Sequence, residues 1–567
     1  MLKSEIIKEV SRVLGKKEEE IESLIEVPPD QKLGDFALPC FVLAKEMRKN
    51  PVELAKDLEN KLKMRIKSFK EVKAIGPYLN FFIDKLKFNE YIIEQISKKR
   101  EKYSVNTSGK GKTLLIEYSA PNSNKPLHIG HLRNETLGMA LINLFERNSY
   151  KVVKTNLIND RGIHICKVIL AYLKWAKGKK PDKKSDHFIG DLYVMYSKNE
   201  TPELEKETQE ILRKWEIEDK KVRGIWKKLN SWAINGIKET YKEFGSKFDY
   251  IFYESQFYNK AKPIIEEGLE KGIFFKDDTG TIFVNLEPEL PNKVILRSDG
   301  TSIYITNDLA LTDYKFKRFK PDILLWCVGS EQNLYFKQLF KIFEKLGYEL
   351  APRCEHFSYG MVNLPTGKMK SREGNVIDAD DIIEELKTLA KRETKAKGKV
   401  KGKDIKKVAK LVALGAIKFY LSKSEASKDI LFEANKAVSF DGETGPYIQY
   451  ACARINSILK KAKSSVNRAL NSKVNYPLLK EDSEFNLVKE LSKYPEIIEK
   501  AMNERKPHIV ANYVYQLAQT FNDFYLACQC ITEDKKLTGA RLKLIAAAYI
   551  VLKDGLNVLG IEAPENM

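Results

Sequence analysis

Two histidines separated by two residues lie at the start of a predicted helix, in the segment His128-Ile129-Gly130-His131. With 6 His and 30 Gly in 567 residues, a His-x-Gly-His segment arises by chance only about 0.003 times. A strand-like run at residues 113–119 precedes this segment, and a helix-like pattern at residues 132–147 follows it. A strand that turns into a helix directs backbone N–H groups and the positive end of the helix dipole at one spot. The segment therefore predicts a phosphate-binding site.

The elements around this segment follow the pattern of a dinucleotide-binding α/β domain. Residues 113–118 are apolar without alternation, which is typical of a strand covered on both faces in a parallel sheet. Further strand-like runs cover residues 150–158 and 281–284. Ligands of such a domain lie at the carboxyl ends of the strands, where Glu117 is predicted to face the pocket. A carboxylate that is merely solvated is the alternative for Glu117.

Two junctions in the second half of the chain predict more side chains for the same pocket. A strand-to-helix junction at residues 302–307 places Tyr304 and Asp308 four residues apart. Residues 321–328 predict another buried strand, and Gly329-Ser330-Glu331-Gln332 then begins a helix. Both junctions are expected at the carboxyl edge of the sheet.

A glycine-bounded basic loop at residues 367–375 carries three cations and a hydroxyl within five residues. Its central residues are Lys368, Met369, Lys370, Ser371 and Arg372. Such a loop can close over a triphosphate and stabilise the charge that develops as pyrophosphate leaves. A solvated surface loop is the alternative.

Length and composition predict several domains and a polyanionic partner. A chain of 567 residues is too long for one core, and its net charge of +20 favours a nucleic acid, with a Lys-rich proteome as the alternative. The 7 cysteines are scattered, which suits a reducing cytoplasm. Cys528 and Cys530 lack a second ligand pair, so a core position is favoured over a zinc site. No apolar run reaches membrane-spanning length, so a soluble, cytoplasmic protein is expected.

Changes in composition along the chain predict an α/β multidomain protein. A Rossmann-type parallel-sheet catalytic domain with an insertion follows a small N-terminal α+β module, and a C-terminal all-α helical bundle ends the chain. The predicted domains are residues 1–85 for the module, 86–112 for a connector, 113–390 for the catalytic domain with its insertion at about 175–250, and 391–567 for the bundle. Helices are predicted at residues 37–47 and 52–64 in the module and at 408–421, 447–463, 509–526 and 542–559 in the bundle.

Two short segments carry the residue types that read unpaired RNA bases, namely aromatic, amide and guanidinium side chains. Tyr78 and Asn80 lie at a predicted turn, for which an ordinary sheet-closing turn is the alternative. Tyr447, Gln449 and Arg454 begin a helix of the bundle, where aromatic residues at helical spacing are more often part of the core.

The histidine segment and the distant basic loop together resemble the class I aminoacyl-tRNA synthetases, and the remaining motifs resemble the arginyl-tRNA synthetase family. The resemblance covers the whole chain. The motifs that carry it are Pro121-Asn122, Lys125-Pro126-Leu127, His131-Leu132-Arg133-Asn134, the Tyr304/Asp308 pair, Gly329-Ser330-Glu331-Gln332 and residues 560–567. The family's four-letter motif for its C-terminal domain is not legible at residues 538–542.

The resemblance implies an arginine–tRNA ligase. Such an enzyme activates L-arginine with ATP to arginyl-adenylate plus pyrophosphate and transfers arginine to the 3′-terminal ribose of tRNA(Arg). Mg²⁺ is expected to accompany ATP, without a structural metal in the protein, and the chain is expected to act as a cytoplasmic monomer away from membranes. The N-terminal module is expected to bind tRNA and the bundle to bind the anticodon. Arginine activation is expected to require bound tRNA.

The resemblance also assigns residues to the substrates. Glu117 and Asp308 are implied to receive the guanidinium of arginine, and a planar cation with five donors is indeed best selected by such acceptors. The other residues implied for the arginine pocket are Asn122, His128, Tyr304 and Gln332. The residues implied for ATP are His128, Gly130, His131 and Met369. The residues implied for tRNA are Tyr78, Asn80, Tyr447, Gln449 and Arg454.

The basic loop departs from the general class I pattern, Lys-Met-Ser-Lys-Ser. With Met369 aligned, Ser371 takes the place of the second lysine and Lys370 that of the preceding serine. The resemblance implies that Lys125, just before the histidine segment, replaces the missing lysine. Lys368 and Arg372 remain candidates for further phosphate contacts.

Two other functions are compatible with parts of this pattern. A small-metabolite nucleotidylyltransferase shares a His-x-Gly-His nucleotide site, but it has no use for two RNA-binding modules or a charge of +20. A non-catalytic RNA-binding paralogue would explain the modules, but not the intact histidines, carboxylates and basic loop.

Overall fold

The computed structural model of the chain describes residues 2–63, 65–66, 69–298, 300–301, 303–365, 377–396 and 404–567. In these residues there are helices α1 to α22 and strands β1 to β13. Their contacts divide the chain into two units. Unit 1 contains Met1–Ser104, Arg454–Glu496 and Gln516–Leu552, and unit 2 contains Val105–Ala453, Ile497–Tyr515 and Lys553–Met567.

The N-terminal part of unit 1 is a three-stranded antiparallel sheet with flanking helices. The strand order is β1-β3-β2. The strands are β1 (Phe36–Pro39), β2 (Phe69–Ile75) and β3 (Tyr78–Ile83), and the helices are α1 (Leu2–Leu14), α2 (Glu18–Leu24), α3 (Phe41–Met47), α4 (Pro51–Leu62) and α5 (Lys85–Lys99). Helix α4 begins where the Asn50 side chain accepts from two backbone N–H groups, with proline in the first turn.

The structure corrects one predicted helix in this module. Residues 37–39 were expected to be helical with residues 40–47, but they belong to β1 and the helix begins at Phe41. Ala37 and Leu38 are buried and pair with Asn80 and Leu79 of β3. Pairing with the sheet therefore outweighs the helical pattern of this short apolar run.

The predicted connector begins with a packed helix. Helix α5 is capped by the Asp84 side chain and buries one face. Within unit 1, Phe88 of α5 contacts Phe485 of a C-terminal helix, with ring centroids 5.9 Å apart. Lys543 is 3% exposed and donates to Glu94 of α5 at 2.5 Å. These contacts join N-terminal and C-terminal segments within the same unit.

Unit 2 is built around a five-stranded parallel sheet with the order β11-β10-β4-β5-β6. The strands are β4 (Thr113–Glu117), β5 (Lys151–Ile158), β6 (Tyr250–Tyr253), β10 (Ile323–Gly329) and β11 (Cys354–Tyr359). The sequence order reverses between β4 and β10, so the crevice for a ligand opens at the carboxyl ends of these two strands. The predicted Rossmann-type sheet and the strands at residues 113–118, 150–158 and 321–328 are confirmed.

Helix α6 (Ile129–Arg147) follows β4, and a helical insertion separates β5 from β6. Its helices are α7 (Ile163–Trp175), α8 (Ser185–Lys198), α9 (Pro202–Glu216) and α10 (Lys220–Phe244). They share an apolar core that includes Trp215, which is 1% exposed. The predicted helical texture of the insertion is confirmed.

Two segments after the insertion differ from the expected pattern. The strand at residues 282–284 belongs to a separate antiparallel sheet with the order β7-β8-β9 rather than to the parallel sheet. Residues 304–306, expected to be extended, form the first turn of a helix that begins after Ile303. The elements here are β7 (Phe274–Lys276), β8 (Ile282–Val284), β9 (Lys293–Leu296), α11 (Lys262–Glu270), α12 (Tyr304–Phe319) and α13 (Asn333–Leu346).

The remaining chain is mostly helical, which confirms the predicted bundle pattern. Its elements in unit 2 are α14 (Ala379–Ala396), α15 (Asp404–Ser422), α16 (Ala434–Ala437), β12 (Val362–Asn363) and β13 (Ile430–Leu431). The later helices are α17 (Gly445–Lys461), α18 (Val466–Asn471), α19 (Asp482–Ser492), α20 (Tyr494–Asn503), α21 (His508–Ala527) and α22 (Lys535–Val558). Among the described residues, none of these helices combines the length and apolar character needed to cross a membrane. All seven cysteines are free thiols, and Cys528 and Cys530 are buried.

Candidate active site

The two histidines cap the first turn of α6. His128 precedes the helix, and its Nδ1 accepts from the backbone N–H of Gly130 at 3.1 Å. Nδ1 of His131 accepts from the backbone N–H of His128, also at 3.1 Å. The two ring centroids are 3.9 Å apart. The backbone of the turn thus fixes both rings at the positive end of the helix dipole.

Both histidine rings are neutral at pH 7. Burial lowers the pKa of His128 to about 3, and the positive charge of Lys125 acts in the same direction. Burial, His128 and Lys125 lower the pKa of His131 well below its ordinary range. Because each Nδ1 accepts a hydrogen bond, each neutral ring carries its proton on Nε2. The pair therefore offers two neutral N–H donors.

Gly130 fits closely between these rings. A Cβ atom at this position would lie 3.0 Å from Cε1 and Nδ1 of His128, which is tighter than ordinary van der Waals contact. The glycine of the segment is therefore explained by the approach of the His128 ring, and a larger residue would move that ring.

Glu117 ends β4 and is 5% exposed. Its register partner in β10 is Trp326, which places it beside the reversal in strand order. Its Oε2 accepts a short hydrogen bond from Nζ of Lys315, which is buried. Glu117 is thus a buried member of an ion pair at the carboxyl edge of the sheet.

Asp308 lies in the first half of α12 and interacts electrostatically with Glu117. Burial raises the pKa of Asp308 to about 6, and Glu117 adds to this rise, while Tyr335 and Lys315 oppose it. The hydroxyl of Tyr335 donates a short hydrogen bond to Oδ2. Tyr304 lies one turn earlier on the same helix and is 58% exposed. Thus the predicted four-residue spacing places Tyr304 and Asp308 on one face of a helix.

Glu254 is a further buried carboxylate that the sequence reading missed. It follows β6 directly, and its Oε1 accepts from the side-chain amide of Asn307 at 2.9 Å, whereas its buried Oε2 has no hydrogen-bond partner among the residues that the structure describes. Burial raises the pKa of Glu254 to about 7, with Arg161 opposing this effect and Asp308 adding to it. Glu254 follows a parallel strand just as Glu117 ends one, so the strand-end rule could have predicted Glu254 from the sequence as well.

The turn between Glu117 and Asn122 has a strained backbone. Ser119 and Ala120 have φ values of 76° and 48°, which are uncommon for residues other than glycine. The side-chain oxygens of Asn134 and Asn156 hold the two backbone N–H groups, at 2.6 and 3.1 Å. Asn122 then pairs with Asn159 in a parallel bridge, so it lies beside the end of β5.

Gln332 is the last of the residues predicted for the arginine pocket. It ends a short 3-10 turn that follows β10, and it is exposed. Glu117, Asn122, Tyr304, Asp308 and Gln332 all lie at or beside the carboxyl edge of the sheet, as expected from the strand-end rule. Their individual roles stay predictions.

Three family models match this chain. The model described as "tRNA synthetases class I (R), catalytic domain" matches residues 92–433. The models described as "Arginyl tRNA synthetase N terminal domain" and "DALR anticodon binding domain" match residues 1–83 and 448–567.

Full-length relatives agree with the family models. The arginine–tRNA ligase of Treponema denticola is 42% identical over 560 residues, which cover 96% of this chain and 94% of the relative. That of Borrelia hermsii is 40% identical over 578 residues, which cover 100% and 98%. This chain belongs to the arginyl-tRNA synthetase family. A solved structure of the Thermus thermophilus arginyl-tRNA synthetase agrees with a TM-score of 0.82 at 26% identity, covering 100% of this chain and 99% of that one.

Family membership confirms the predicted enzyme class, an arginine–tRNA ligase of the class I synthetases, and this family uses ATP as a substrate. The helical domain at residues 448–567 is recognised although its name motif was not legible at residues 538–542. The predicted domain boundaries stay predictions.

In this synthetase, Lys125 lies beside the histidine pair. Burial lowers the pKa of Lys125, and Asp378 opposes this effect. The segment around Asp378 is tied to the histidines, since His128 and Asp378 form an isolated antiparallel bridge and the N–H of Ala379 donates to the carbonyl of Leu127 at 2.8 Å. The predicted loop residues Lys368, Met369, Lys370, Ser371 and Arg372 lie outside the described residues.

A second charged cluster of the synthetase joins α8 to the start of α14. Asp186, His187 and Asp380 are ligand-type side chains grouped closely enough to hold a cation. Nζ of Lys184 contacts the carboxylates of Asp186 and Asp380 at 3.0 and 2.7 Å. The positive charge that a metal ion would supply is therefore already supplied by a lysine.

The predicted RNA-reading residues differ in their exposure. Gln449 is fully buried, and its Nε2 donates to the carbonyls of Leu411 and Glu562 at 3.0 and 2.7 Å. This amide therefore joins segments of the fold, and its assignment to RNA stays a prediction. Asn80 is 2% exposed in β3, and its assignment to RNA stays a prediction. Tyr78 is half-buried beside Phe41 and stays a prediction.

The other two RNA candidates lie on the face of α17. Arg454 donates to Asn522 at 2.7 Å and lies 5.0 Å from the Tyr525 ring centroid. Tyr447 packs against Tyr515 with ring centroids 5.5 Å apart. Both side chains are partly exposed, so their assignment to RNA stays a prediction.

Proposed function

We propose that the carboxyl edge of the sheet binds L-arginine through Glu117 and Asp308. The observation that carries this assignment is the position of two interacting carboxylates beside the reversal in strand order, each with one oxygen already held by an internal donor. A guanidinium presents a planar fork of donors that two carboxylates can accept together. Lysine cannot reproduce this fork, so the pair selects arginine.

The remaining arginine contacts come from residues around this pair. Glu254 joins the set, because it interacts electrostatically with Asp308 and its Oε2 accepts no hydrogen bond from the described residues. Tyr304 contributes a hydroxyl from the exposed first turn of α12. Asn122, His128 and Gln332 would orient the amino and carboxylate groups of the amino acid, since amide and imidazole groups suit that part of the substrate.

The histidine pair and Lys125 would bind the phosphates of ATP. Two neutral Nε2–H groups at the start of α6 donate to phosphate oxygens without adding charge, while Lys125 supplies a positive charge close by. The arginine carboxylate then attacks the α-phosphate in line and pyrophosphate leaves. A hydroxyl of the 3′-terminal ribose of tRNA(Arg) next attacks the arginyl carbonyl of the adenylate, which forms the ester and releases AMP. The protein contributes mainly position and charge.

Mg²⁺ would travel with ATP. The described residues at the histidine pair present ring nitrogens, the ammonium of Lys125 and the single carboxylate of Asp378, whereas Mg²⁺ takes about six oxygen ligands. The phosphates would therefore provide most of its ligands, and we assign no residue of the chain to it.

The chain is proposed to act as a cytoplasmic monomer on tRNA(Arg). The free thiols suit a reducing compartment. Sedimentation at micromolar concentration tests the monomer, and a stable dimer would contradict it.

Aminoacylation of total tRNA with each of the twenty amino acids tests the function. Charging of tRNA(Arg) with arginine is expected, and charging with another amino acid would overturn the substrate assignment. Pyrophosphate exchange with and without tRNA(Arg) tests the order of steps. Exchange that requires tRNA is expected, and equal rates would contradict this order.

A further inference from the structure

Lys315 is a buried cation that the site assignment does not use. Its side chain is 1% exposed, and its ammonium contacts Oε2 of Glu117 and lies 5.3 Å from the ring centroid of Phe252. Removing an ammonium from water is costly unless a partner compensates for it. The contact with Glu117 therefore compensates for the burial of the ammonium, and we looked for the function of Lys315 in its effect on that carboxylate.

Lys315 and Asp308 lie on the same helix, two turns apart, so they project from one face of α12. Lys315 holds Oε2 of Glu117, and Tyr335 holds Oδ2 of Asp308. Within the described part of the chain, Oε1 of Glu117 and Oδ1 of Asp308 accept no hydrogen bond. Each carboxylate is thus oriented through one oxygen and keeps the other for a ligand.

The charges of this group leave room for a single cation. Two ionised carboxylates carry two negative charges, and the ammonium of Lys315 cancels one of them. A bound guanidinium cancels the other, so that the charges of Glu117, Asp308, Lys315 and the guanidinium sum to zero. Without Lys315, the repulsion between Glu117 and Asp308 would lose the positive charge that now opposes it.

We propose that Lys315 is a positioning residue that holds Glu117 in place for the guanidinium and offsets one of the two negative charges of the Glu117–Asp308 pair. This inference rests on the proposed function, because it requires Glu117 to contact arginine. Lys315 itself touches Glu117 and acts on the substrate through it.

The test is a double-mutant cycle read as the KM for arginine in the aminoacylation reaction. We expect Glu117→Gln to raise this KM about 30-fold or more and Lys315→Met about tenfold or more, with the KM for ATP within about twofold. In the Glu117→Gln background, Lys315→Met should add less than about threefold, since its partner is already lost. Removing both charges also avoids an unpaired buried ion, which favours folding of the double variant.

L-Citrulline, a neutral isostere of arginine, separates the proposed role from a general distortion. As a competitive inhibitor it should lose at least about threefold less affinity than arginine loses in the Lys315→Met variant, because it keeps N–H donors but lacks the charge that Glu117 receives. A merely structural role would weaken citrulline and arginine alike. Lys317→Met is the matched control, since Lys317 lies on the same helix but is 73% exposed and pairs with Asp313; its KM for arginine should stay unchanged.

The outcomes distinguish the two proposals. If Glu117→Gln leaves the KM for arginine unchanged, the pocket assignment is wrong. If Glu117→Gln raises it but Lys315→Met does not, or if the two effects multiply in the double variant, the role of Lys315 is wrong and the pocket assignment stands.

Discussion

Unit 2 contains two partly buried clusters of similar composition that differ in how many of their carboxylate oxygens accept hydrogen bonds. The strand-end cluster consists of Glu117, Asp308, Lys315 and Tyr335. The helix-junction cluster consists of Lys184, Asp186, His187 and Asp380. Each has two carboxylates and a lysine, yet their hydrogen bonds differ in number.

In the helix-junction cluster every carboxylate oxygen is occupied. Oδ2 of Asp380 accepts from Lys184 at 2.7 Å and pairs with His187 at 2.8 Å, and Oδ1 accepts from Thr240 at 3.1 Å. The two oxygens of Asp186 accept from Lys184 at 3.0 Å and from the His187 backbone at 3.1 Å. Burial alone would raise the pKa of Asp380, but His187 and Lys184 outweigh it and lower the pKa to about 2.

In the strand-end cluster, one oxygen of each carboxylate accepts no hydrogen bond from the described residues. Burial raises the pKa of Asp308 to about 6. A cluster whose carboxylate oxygens all accept hydrogen bonds offers no acceptor to a ligand, whereas a cluster with free acceptor oxygens is stabilised when a cation binds. The number of occupied oxygens, and not the residue types, thus separates a structural cluster from a binding one. The following substitutions test this difference.

The largest effect is expected for Asp308→Asn. Loss of this carboxylate should weaken arginine binding by about 2 to 5 kcal/mol, because the guanidinium loses a charged acceptor in a desolvated site. The KM for arginine in aminoacylation measures it, and the melting temperature should change little. An unaltered KM would mean that the open oxygen of Asp308 does not meet the substrate.

Asp380→Asn should show the opposite profile. It removes a carboxylate that three side chains contact, so the free energy of unfolding should fall by about 1 to 3 kcal/mol. Urea denaturation measures this, with the KM for arginine within about twofold of the parent enzyme. A large rise in that KM without a loss of stability would contradict the comparison.

From the sequence, the two carboxylates of the strand-end cluster could be predicted, but the two residues that donate to them could not. Glu117 was found because it ends a strand, and Asp308 because it lies four residues after Tyr304 at a junction. Lys315 and Tyr335 were missed, since a lysine and a tyrosine on amphipathic helices look like any partly buried residues. Their partners lie 198 and 27 residues away, and no local pattern links such positions.

The parallel sheet was predictable for a similar reason, since continuous apolar runs mark strands covered on both faces. Gln449 shows the limit of this reasoning. An amide near a helix start suits an RNA base, but it can equally satisfy two backbone carbonyls within the fold. The sequence does not separate these roles, because the carbonyls come from Leu411 and Glu562 on other segments.

Tyr335→Phe tests whether the Tyr335 hydroxyl keeps Asp308 ionised for arginine binding. The Tyr335 hydroxyl opposes the burial that raises the pKa of Asp308, so its loss should move that pKa further above 6. Arginine needs the ionised carboxylate, and the KM for arginine should therefore fall as the pH rises through about 6 in the parent enzyme. The same fall should occur at higher pH in the variant. At pH 7 the variant should bind arginine more weakly by about 1 kcal/mol, which appears as a higher KM. Identical pH profiles would contradict this role.

The smallest expected effect concerns His187 and the pH dependence of stability. Its hydrogen bond to Asp380 raises the pKa of His187 above the ordinary value of 6.5, against the opposing effect of burial, and Asp186 and Asp378 add to the rise. A raised histidine pKa means that the folded protein holds the proton more tightly than the unfolded chain. The stabilisation is therefore complete below about pH 6.5 and is lost as the pH rises through the folded-state pKa. Relative to His187→Gln, the parent enzyme should be more stable by about 1 kcal/mol or less at pH 6, and this difference should shrink towards pH 9. Urea denaturation of both proteins across this range measures it. A difference that grows with pH would mean that the ring is neutral in the fold, and the cluster would then be less saturated with charge than its geometry indicates.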